Sequence, residues 1–338
     1  MNTTIEYILS QNDLVAMANQ AGTQMVKRYS DWRGTCPIHI GTDKNEFAIY
    51  EENGKQYYKC FSGGCGSGDV IDFYMAWRKV DLKTTINYFM GDKKPDPATM
   101  TNVAVERAER AEKKLKETIA AAQAALKDLQ EARAWEGYHK QLEENEEARA
   151  LWEKRGVPIV WQDIWMLGYC NAFRVSTSQG SLITSTLTMP IFGPDWELLN
   201  IRHRLLNPLN PKDKYRPERA GLASQAFMTD PDLGMKAENI LIVEGEIKSM
   251  VTYITLDSPQ WQVLGIPGKT WFQKIAEQLK GKRIVICFDP DAEKEASQAA
   301  NETNGKMIRL PIKIDDLIND GNLEKMGLRN LIKGATRP

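Results

Sequence analysis

The stretch CPIHIGTDKNEFAIYEENGKQYYKCFSGGCGSGDVIDF, residues 36–73, decides how the first part of the chain folds. It holds three of the five cysteines and a histidine. A disulfide would leave one of the three cysteines over, whereas four soft or borderline ligands can close the tetrahedral shell of one zinc ion. We therefore expect Cys36, His39, Cys60 and Cys65 to hold a structural Zn²⁺. The alternative is three unrelated buried cysteines and a surface histidine.

Two strand-like runs, EFAIYEE and KQYYKCF, lie between the two pairs of ligands and alternate around a turn that contains glycine. This pattern is typical of a β-hairpin. The glycines of SGGCGSG fit a backbone that curls around a thiolate, because glycine takes positive φ values at little cost. The sequence thus predicts a small β-rich module here. The other two cysteines, Cys170 and Cys287, lie in apolar runs and are expected to be core residues.

The composition of the whole chain limits the kind of protein it can be. Its 338 residues, 42% apolar and 26% charged, are enough for more than one domain with its own hydrophobic core. The N-terminus lacks a basic head followed by a long apolar run, and no window reaches the roughly 18 apolar residues of a membrane span. We expect a protein of the reducing cytoplasm with no membrane partner. A net charge of -1 leaves nucleic acid open, because binding needs only a local basic patch.

The amino-acid composition of the chain changes at about residue 101. The segment AEKKLKETIAAAQAALKDLQEARAW, residues 111–135, is rich in Ala, Glu, Lys and Leu and contains neither Gly nor Pro. Such residues favour a long helix, which we expect to extend to about residue 153. A solvated spacer is favoured over an oligomerising coiled coil, because clean heptads do not persist for about three to four repeats.

Acidic residues follow two apolar runs in the last third of the chain. In ENILIVEGEIKSM the run ends at Glu244, and in GKRIVICFDPDAEKEASQAA it ends at Asp289 and Asp291. Parallel strands deliver such residues to the carboxyl edge of their sheet. Carboxylates from neighbouring strand ends form an all-oxygen site suited to Mg²⁺ or Mn²⁺. Alternatively, an Asp-x-Asp at the start of a helix can have the purely structural role of an N-cap.

The zinc-ligand motifs resemble a known family. CPIH together with CFSGGCGSGDVIDF is similar to the zinc ribbon of bacterial and phage replicative DNA primases. In that family the second knuckle is usually Cys-x2-Cys, so Gly63 and Gly64 are a departure. The resemblance implies that the ribbon helps to choose the template sequence. Tyr57, Tyr58, Lys59 and Phe61 are of a type that could contact exposed bases, although packing roles are equally open for them.

The acidic runs resemble the same family. VEGE, then FDPDA, then LPIKIDDLIND follow the order of the TOPRIM fold that primases share with topoisomerases and some nucleases. Before them, residues 151–170 and 188–218 resemble the opening segments of the primase catalytic core, which those other enzymes lack. The resemblance implies nucleotide or template binding by Arg204, Lys214 and Tyr215. Arg202 is an additional cation two residues away on the same strand face, and Lys248 is a further candidate for a phosphate contact.

The resemblance implies a multidomain fold of α+β and α/β parts. Its expected parts are a zinc ribbon in residues 1–95, a helical linker in 96–150, the N-terminal part of the primase RNA polymerase core in 151–235, and a TOPRIM domain in 236–338. The implied activity is synthesis of short RNA primers on single-stranded DNA from nucleoside triphosphates, for a phage or another mobile element. Glu244, Asp289 and Asp291 would be catalytic and would bind Mg²⁺ or Mn²⁺. A replicative helicase would be a separate partner.

One departure keeps other functions open. The family usually has an Asp four residues after the strand-end Glu, and this chain has Lys248 there. The first alternative is therefore a nucleic-acid-binding accessory protein with a degenerate TOPRIM site. The second is a TOPRIM nuclease, which the primase-like segment upstream disfavours.

Overall fold

The structure is a computed structural model that describes residues 4–62, 64–91, 97–177, 180–208, 214–269 and 271–338. The chain divides into two compact units, Met1–Glu117 and Thr118–Pro338. The predicted boundary between residues 95 and 96 lies outside the described residues. The predicted boundaries after residues 150 and 235 fall inside the second unit and stay predictions.

Five antiparallel strands form the sheet of the first unit, in chain order. They are β1 (Val26–Arg28), β2 (Asp31–Gly34), β3 (Phe47–Glu52), β4 (Lys55–Cys60) and β5 (Ser67–Gly68). β3 and β4 form the predicted hairpin, in which Phe47 lies opposite Cys60. Its turn residues Asn53 and Gly54 both have positive φ, as the two-residue turns favoured by hairpin twist require.

Four short helices complete the first unit, so it is less purely β than its sequence indicated. They are α1 (Thr4–Gln11), α2 (Leu14–Gln20), α3 (Val70–Arg78) and α4 (Leu82–Met90). Their apolar side chains, among them Ile5, Ile8, Phe73 and Ile86, are fully buried in one cluster with Phe47. Helices of seven to nine residues give too few turns for periodicity to mark them in the sequence.

The GDVIDF motif at residues 68–73 starts α3. The Asp69 carboxylate accepts the N–H groups of Ile71 and Asp72 at 2.9 and 3.2 Å. In return Asp72 accepts the Asp69 N–H at 3.1 Å, which completes a capping box. A Cβ on Gly68 would lie 2.2 Å from an Asp72 oxygen, so glycine makes room for the reciprocal bond.

The predicted long helix is interrupted. Its helices are α5 (Pro97–Ala132), α6 (Ala134–Glu143), α7 (Glu146–Glu153) and a short α8 (Ile159–Ile164). Arg133 breaks the first run with a φ of 47°, and the Asn145 side chain caps α7 by accepting the Ala148 N–H at 2.9 Å. Leu129 and Leu142 are fully buried in clusters of the second unit. The end of the expected linker is therefore part of that unit's core.

An antiparallel sheet follows, with strands in the order β6-β7-β8-β9. They are β6 (Gly168–Thr177), β7 (Gly180–Phe192), β8 (Leu198–Leu205) and β9 (Tyr215–Pro217). Arg202 and Arg204 of β8 share one face, and Tyr215 lies opposite Arg204. His203 points to the other face and is fully buried, with Glu218 Oε2 2.6 Å from its Nε2.

The last sheet is mainly parallel and has the order β10-β12-β11-β13-β14. Its strands are β10 (Phe227–Met228), β11 (Asn239–Glu244), β12 (Trp261–Ile266), β13 (Arg283–Cys287) and β14 (Lys306–Met307). β10 is antiparallel to β12, and the other neighbours are parallel. The connecting helices are α9 (Glu246–Leu256), α10 (Ala276–Leu279) and α11 (Glu293–Glu302), and α12 (Ile314–Asn319) and α13 (Lys325–Gly334) follow.

Strand β11 is buried on both faces. Ile240 and Ile242 belong to one hydrophobic cluster, and Leu241 and Val243 belong to another on the opposite face. This double burial explains the unbroken apolar run in the sequence. The predicted fold class, a multidomain fold of α+β and α/β parts that begins with a small zinc-ribbon module, is confirmed. Within the described residues, no helix has the length and apolar character needed to cross a membrane.

We expect Ile242→Ala to lower the free energy of unfolding of the second unit by about 2–5 kcal/mol, because the fully buried side chain would leave a cavity. Urea unfolding followed by tryptophan fluorescence measures the change. Ile183→Ala is the control, since Ile183 is 59% exposed and its loss should cost no more than about 0.5 kcal/mol. Equal effects of the two substitutions would contradict the double burial of β11.

Candidate zinc centre and candidate active site

The four predicted zinc ligands come together in the first unit. The Sγ atoms of Cys36, Cys60 and Cys65 and a ring nitrogen of His39 all lie within 4.8 Å of one another. The Cys36 and Cys65 sulfurs are 3.9 Å apart, and His39 Nδ1 lies 3.1 Å from Cys65 Sγ and 3.7 Å from Cys60 Sγ. A tetrahedral zinc ion with bonds of about 2.0–2.3 Å needs donor spacings of roughly 3.5–3.8 Å. The donor set fits structural Zn²⁺, as predicted.

The hairpin positions the ligands. Cys36 and His39 follow β2, Cys60 ends β4, and Cys65 precedes β5. Gly64 has a positive φ of 67°, which agrees with the prediction that the glycines let the second knuckle curl. Gly63 lies outside the described residues. Burial raises the pKa of the Cys36 thiol to about 12, so zinc binding has to displace its proton.

Glu46 supports the centre from behind, and the spacing of the cysteines gave no sign of it. Its carboxylate accepts the Cys36 N–H at 3.1 Å and the Ser62 hydroxyl at 2.6 Å, and lies 3.6 Å from His39 Nε2. The Ser62 hydroxyl holds the pKa of Glu46 below its usual range. A carboxylate behind a ligating histidine fixes the orientation of the ring and raises its basicity.

The face of the β3–β4 hairpin opposite Cys60 carries aromatic and basic residues. Phe61 is 54% exposed, and the charged groups of Arg33 and Lys59 lie 5.1 and 5.2 Å from its ring centre. Tyr57 stacks on Tyr50 with ring centres 5.9 Å apart. Tyr58 differs from the other residues considered for base contacts, because it is 2% exposed and its hydroxyl donates to the Cys65 carbonyl. Its role is packing.

In the second unit, β11 delivers Glu244 to the carboxyl edge of the parallel sheet. The next residue, Gly245, has a φ of 89°, and its N–H donates to the Ile266 carbonyl at 2.8 Å. This tight turn fixes where the Glu244 side chain starts. The Glu244 carboxylate accepts the Asp289 N–H at 3.0 Å. Burial raises the pKa of Glu244, while that N–H and the nearby Lys248 charge act in the opposite direction.

The Asp289 carboxylate is held by a lysine. Lys248 Nζ donates to both of its oxygens, at 2.6 Å to Oδ2, and each side chain is only 14% exposed. Lys313 Nζ lies 3.8 Å from the same Oδ2. Asp289 makes no side-chain N-cap bond, so the alternative role of a helix N-cap does not apply to this residue. The Lys248 charge also acts on the half-buried Asp315, whose pKa is raised by partial burial.

Asp291 points elsewhere. Its side chain is 76% exposed, and Lys269 Nζ lies 3.2 Å from its Oδ2. The three predicted carboxylates therefore come from neighbouring strand ends. Only Glu244 and Asp289 are in direct contact, through the Asp289 N–H. Within the described residues, the zinc ligands are the one set of three or more metal-binding side chains whose ligand atoms lie this close together.

A cleft of about 390 Å³ opens beside Glu244. It brings together all five residues predicted to bind nucleotide or template: Arg202, Arg204, Lys214, Tyr215 and Lys248. Neither Asp289 nor Asp291 lines this cleft. The β8–β9 pair supplies one wall and the β11–α9 turn supplies another.

The cations of the cleft are not equally available. Arg202 is paired with Glu246, which is 2% exposed, at 2.8 Å, so the charge of Arg202 is compensated. Arg204 donates to the neutral Tyr215 hydroxyl at 2.6 Å. In the part of the chain that the structure describes, Lys214 has no carboxylate within 4.0 Å.

Arg155 also lines the cleft, and sequence reasoning missed it as a site residue. Burial lowers its pKa, and the neighbouring Arg204 lowers it further. No described carboxylate lies within ion-pair distance of Arg155. Two guanidinium groups held close together without a carboxylate between them favour an anion in the cleft. Arg155 lies in the segment 151–170 that resembles the primase core, but its place in the cleft depends on how distant strands pack.

The residues present do not fit a resident Mg²⁺ or Mn²⁺ bound through Asp289. Such a cation needs free carboxylate oxygens. Both oxygens of Asp289 accept from the Lys248 ammonium, and Asp291 is directed to Lys269. Lys248, which stands where the family usually has Asp, therefore changes the acidic site itself.

Comparison with known proteins finds a match for the N-terminal part of the chain. Residues 1–103 match the family model of the CHC2 zinc finger. Similar solved structures include the zinc binding and RNA polymerase domains of Aquifex aeolicus primase, at 17% identity, covering 99% of this chain and 86% of that chain with a TM-score of 0.48. The DnaG primase catalytic domain bound to ssDNA is similar at 17% identity, with 64% and 83% covered and a TM-score of 0.49.

The E. coli primase catalytic core is similar at 15% identity, with 59% of this chain and 77% of that chain covered and a TM-score of 0.45. Comparison with curated protein sequences returns no match. Because these overall similarities are low, the function has to be inferred from the residues of the two sites.

We expect the purified protein to contain one zinc ion per chain and Cys65→Ser to lose it, because three remaining donors leave the shell open. Elemental analysis measures the zinc, and circular dichroism follows folding. Cys170→Ser is the control, since this buried cysteine lies in the second unit and should not affect zinc content. Full zinc occupancy in Cys65→Ser, or none in the wild type, would refute the assignment.

Proposed function

We propose that this protein is a DNA primase that copies single-stranded DNA into short RNA primers from nucleoside triphosphates. The observation that carries the proposal is the cleft in the second unit, where Arg155 and Lys214, which have no carboxylate partner among the described residues, line the same space as the strand-end carboxylate Glu244. Phosphates are the anions that such a cluster recognises best. A polymerase needs this combination, because it binds polyphosphates next to a group that accepts a proton.

Glu244 is the proton acceptor in this proposal. The 3′ hydroxyl of the growing primer has to lose a proton as it attacks the next nucleotide. A half-buried carboxylate with a raised pKa is a better base than an exposed one. Arg155, Arg204 and Lys214 bind phosphates of the nucleotide or the template, and the guanidinium groups of Arg202 and Arg204 lie 5.2 and 5.3 Å from the Tyr215 ring centre.

The ribbon contributes template contacts in this proposal. Phe61 is exposed and flanked by Arg33 and Lys59, which is the combination that single-strand binding proteins use for stacking on bases and contacting phosphates. The match of residues 1–103 to the CHC2 zinc finger supports this role.

A divalent cation enters as part of the substrate, since nucleoside triphosphates carry Mg²⁺ or Mn²⁺ on their phosphates. The sequence predicts that Glu244, Asp289 and Asp291 hold that ion. Both Asp289 oxygens accept from Lys248 in the free protein, however, so in this proposal the nucleotide brings the ion to the cleft. A separate replicative helicase as partner, a phage or mobile-element origin, and work in the cytoplasm of a bacterial host belong to the same proposal.

The Lys248–Asp289 pair supports a second candidate function. If the acidic site has lost catalysis, the protein is a nucleic-acid-binding replication accessory that keeps the ribbon and the basic cleft. Both functions predict binding to single-stranded DNA, so only a test of catalysis separates them.

We expect the wild-type protein to make short RNA on single-stranded DNA when given labelled nucleoside triphosphates and Mg²⁺. Glu244→Gln should lower the rate by about 10²- to 10⁴-fold, because the amide cannot accept a proton. Denaturing gels measure the product. Glu277→Gln, at a carboxylate that is 83% exposed on α10, should leave the rate unchanged.

The other outcomes discriminate between functions. A wild-type protein that binds the DNA but makes no RNA would support the accessory function. Shortening of the DNA strand itself would indicate a nuclease. Equal RNA synthesis by the wild type and Glu244→Gln would remove Glu244 from the proposed chemistry.

We expect Arg155→Gln and Lys214→Gln each to weaken binding of single-stranded DNA equally across sequences. Each should also reduce the slope of log affinity against log salt by about 0.7, because one phosphate contact releases fewer counterions. Fluorescence anisotropy with a labelled strand at several KCl concentrations measures both effects.

Lys280→Gln is the matched control. Lys280 is 64% exposed and precedes β13, at the opposite edge of the sheet from the cleft. Its loss should leave the slope unchanged. A slope that stays at the wild-type value in both cleft variants would assign Arg155 and Lys214 to the solvated surface.

A further inference from the structure

The Lys248–Asp289 pair differs from an ordinary surface ion pair in three ways. Both oxygens of Asp289 accept from the same ammonium, each side chain is 14% exposed, and a second lysine, Lys313, lies 3.8 Å from Asp289. Such a pair is little screened by salt. The negative charge of Asp289 is therefore already matched by positive charge from this chain.

The position of Lys248 makes the arrangement informative. Lys248 is the third residue of α9, and the first turn of a helix disfavours a cation, because the N–H groups there carry partial positive charge. Glu244 ends the strand just before that turn, and Asp315 lines the same cleft. One Asp315 oxygen is buried without a hydrogen-bond partner. Asp289 contacts the Lys248 ammonium directly, and the Lys248 charge also acts on the carboxyl groups of Glu244 and Asp315.

This is the environment that a divalent cation would otherwise occupy. Mg²⁺ and Mn²⁺ prefer carboxylate oxygens delivered by several segments. An ammonium at contact distance blocks the two Asp289 oxygens and repels a second cation. We infer that Lys248 is the resident cation of this acidic site, so that the free protein holds no divalent metal ion at Asp289.

This inference does not depend on the proposed polymerase activity. It concerns the free protein without nucleotide, and metal binding alone tests it. A loss of primer synthesis would bear on the proposed function, whereas Mn²⁺ binding bears only on the role of Lys248.

The experiment titrates zinc-loaded protein with MnCl₂ and counts bound Mn²⁺ by electron paramagnetic resonance. The wild type should bind no Mn²⁺ at Asp289. Asp289→Asn should therefore leave the Mn²⁺ binding of the otherwise wild-type protein unchanged. Lys248→Met, which keeps the length of the side chain without its charge, should bind one Mn²⁺ per chain, about tenfold or more tightly than the wild type. Adding Asp289→Asn to Lys248→Met should abolish that binding.

Two further measurements keep the test decisive if Lys248→Met folds poorly. Lys248→Gln, which can still donate to Asp289, should also gain Mn²⁺ binding. Mn²⁺ should raise the melting temperature of the two Lys248 variants and leave that of the wild type unchanged. A ligand stabilises a protein only when it binds the folded state. Lys280→Met is the control, because Lys280 pairs with the exposed Glu277 at 2.7 Å and should not affect binding.

Two results would overturn the inference. One is stoichiometric Mn²⁺ binding by the wild type that Asp289→Asn removes, since the oxygens would then be free for metal. The other is a folded Lys248→Met or Lys248→Gln that gains no Mn²⁺ binding, since the carboxylates would then not form a cation site at all.

Discussion

The burial of β11 on both faces is the constraint on which the second unit depends. Because β12 and β13 pair with it and apolar clusters cover its two sides, its polar residues, Asn239 and Glu244, appear only at its two ends. Glu244 lies at the carboxyl end, and Gly245 then turns the chain sharply into α9. The position of Lys248 follows from this turn, and so does its contact with Asp289 at the end of the neighbouring strand.

The first unit has a different constraint. The two knuckles are loops that no strand pairing fixes along their whole length, and they lie beside the unit's hydrophobic cluster, which includes Cys36. A closed zinc shell ties those loops together, and Glu46 links both knuckles through Cys36 and Ser62. In small units of this kind metal binding and folding are one process. The first unit therefore combines a hydrophobic cluster with a candidate zinc centre, whereas the second unit is organised around a buried parallel sheet.

Much of this organisation could be predicted from the sequence. The zinc ligands and the hairpin followed from residue type and spacing, and β11 and β13 followed from apolar runs that end in carboxylates. Side-chain partners could not be predicted in this way, because they depend on how distant segments pack. The pairs of Arg202 with Glu246 and of Lys248 with Asp289 bring together residues about forty positions apart. Arg155 was missed for the same reason, since its surroundings come from β8 and β9.

The two classes of residue around the cleft therefore carry different information about function. Cations without carboxylate partners indicate what the site can bind, because an anion is needed to balance them. Lys248 indicates what the site does not need, because its ammonium already neutralises Asp289. A part-buried ion pair contributes little net stability, whereas removal of one partner leaves a costly uncompensated charge. Lys248 and Asp289 are therefore best understood as one functional unit, in which either residue has a defined role only while the other is present.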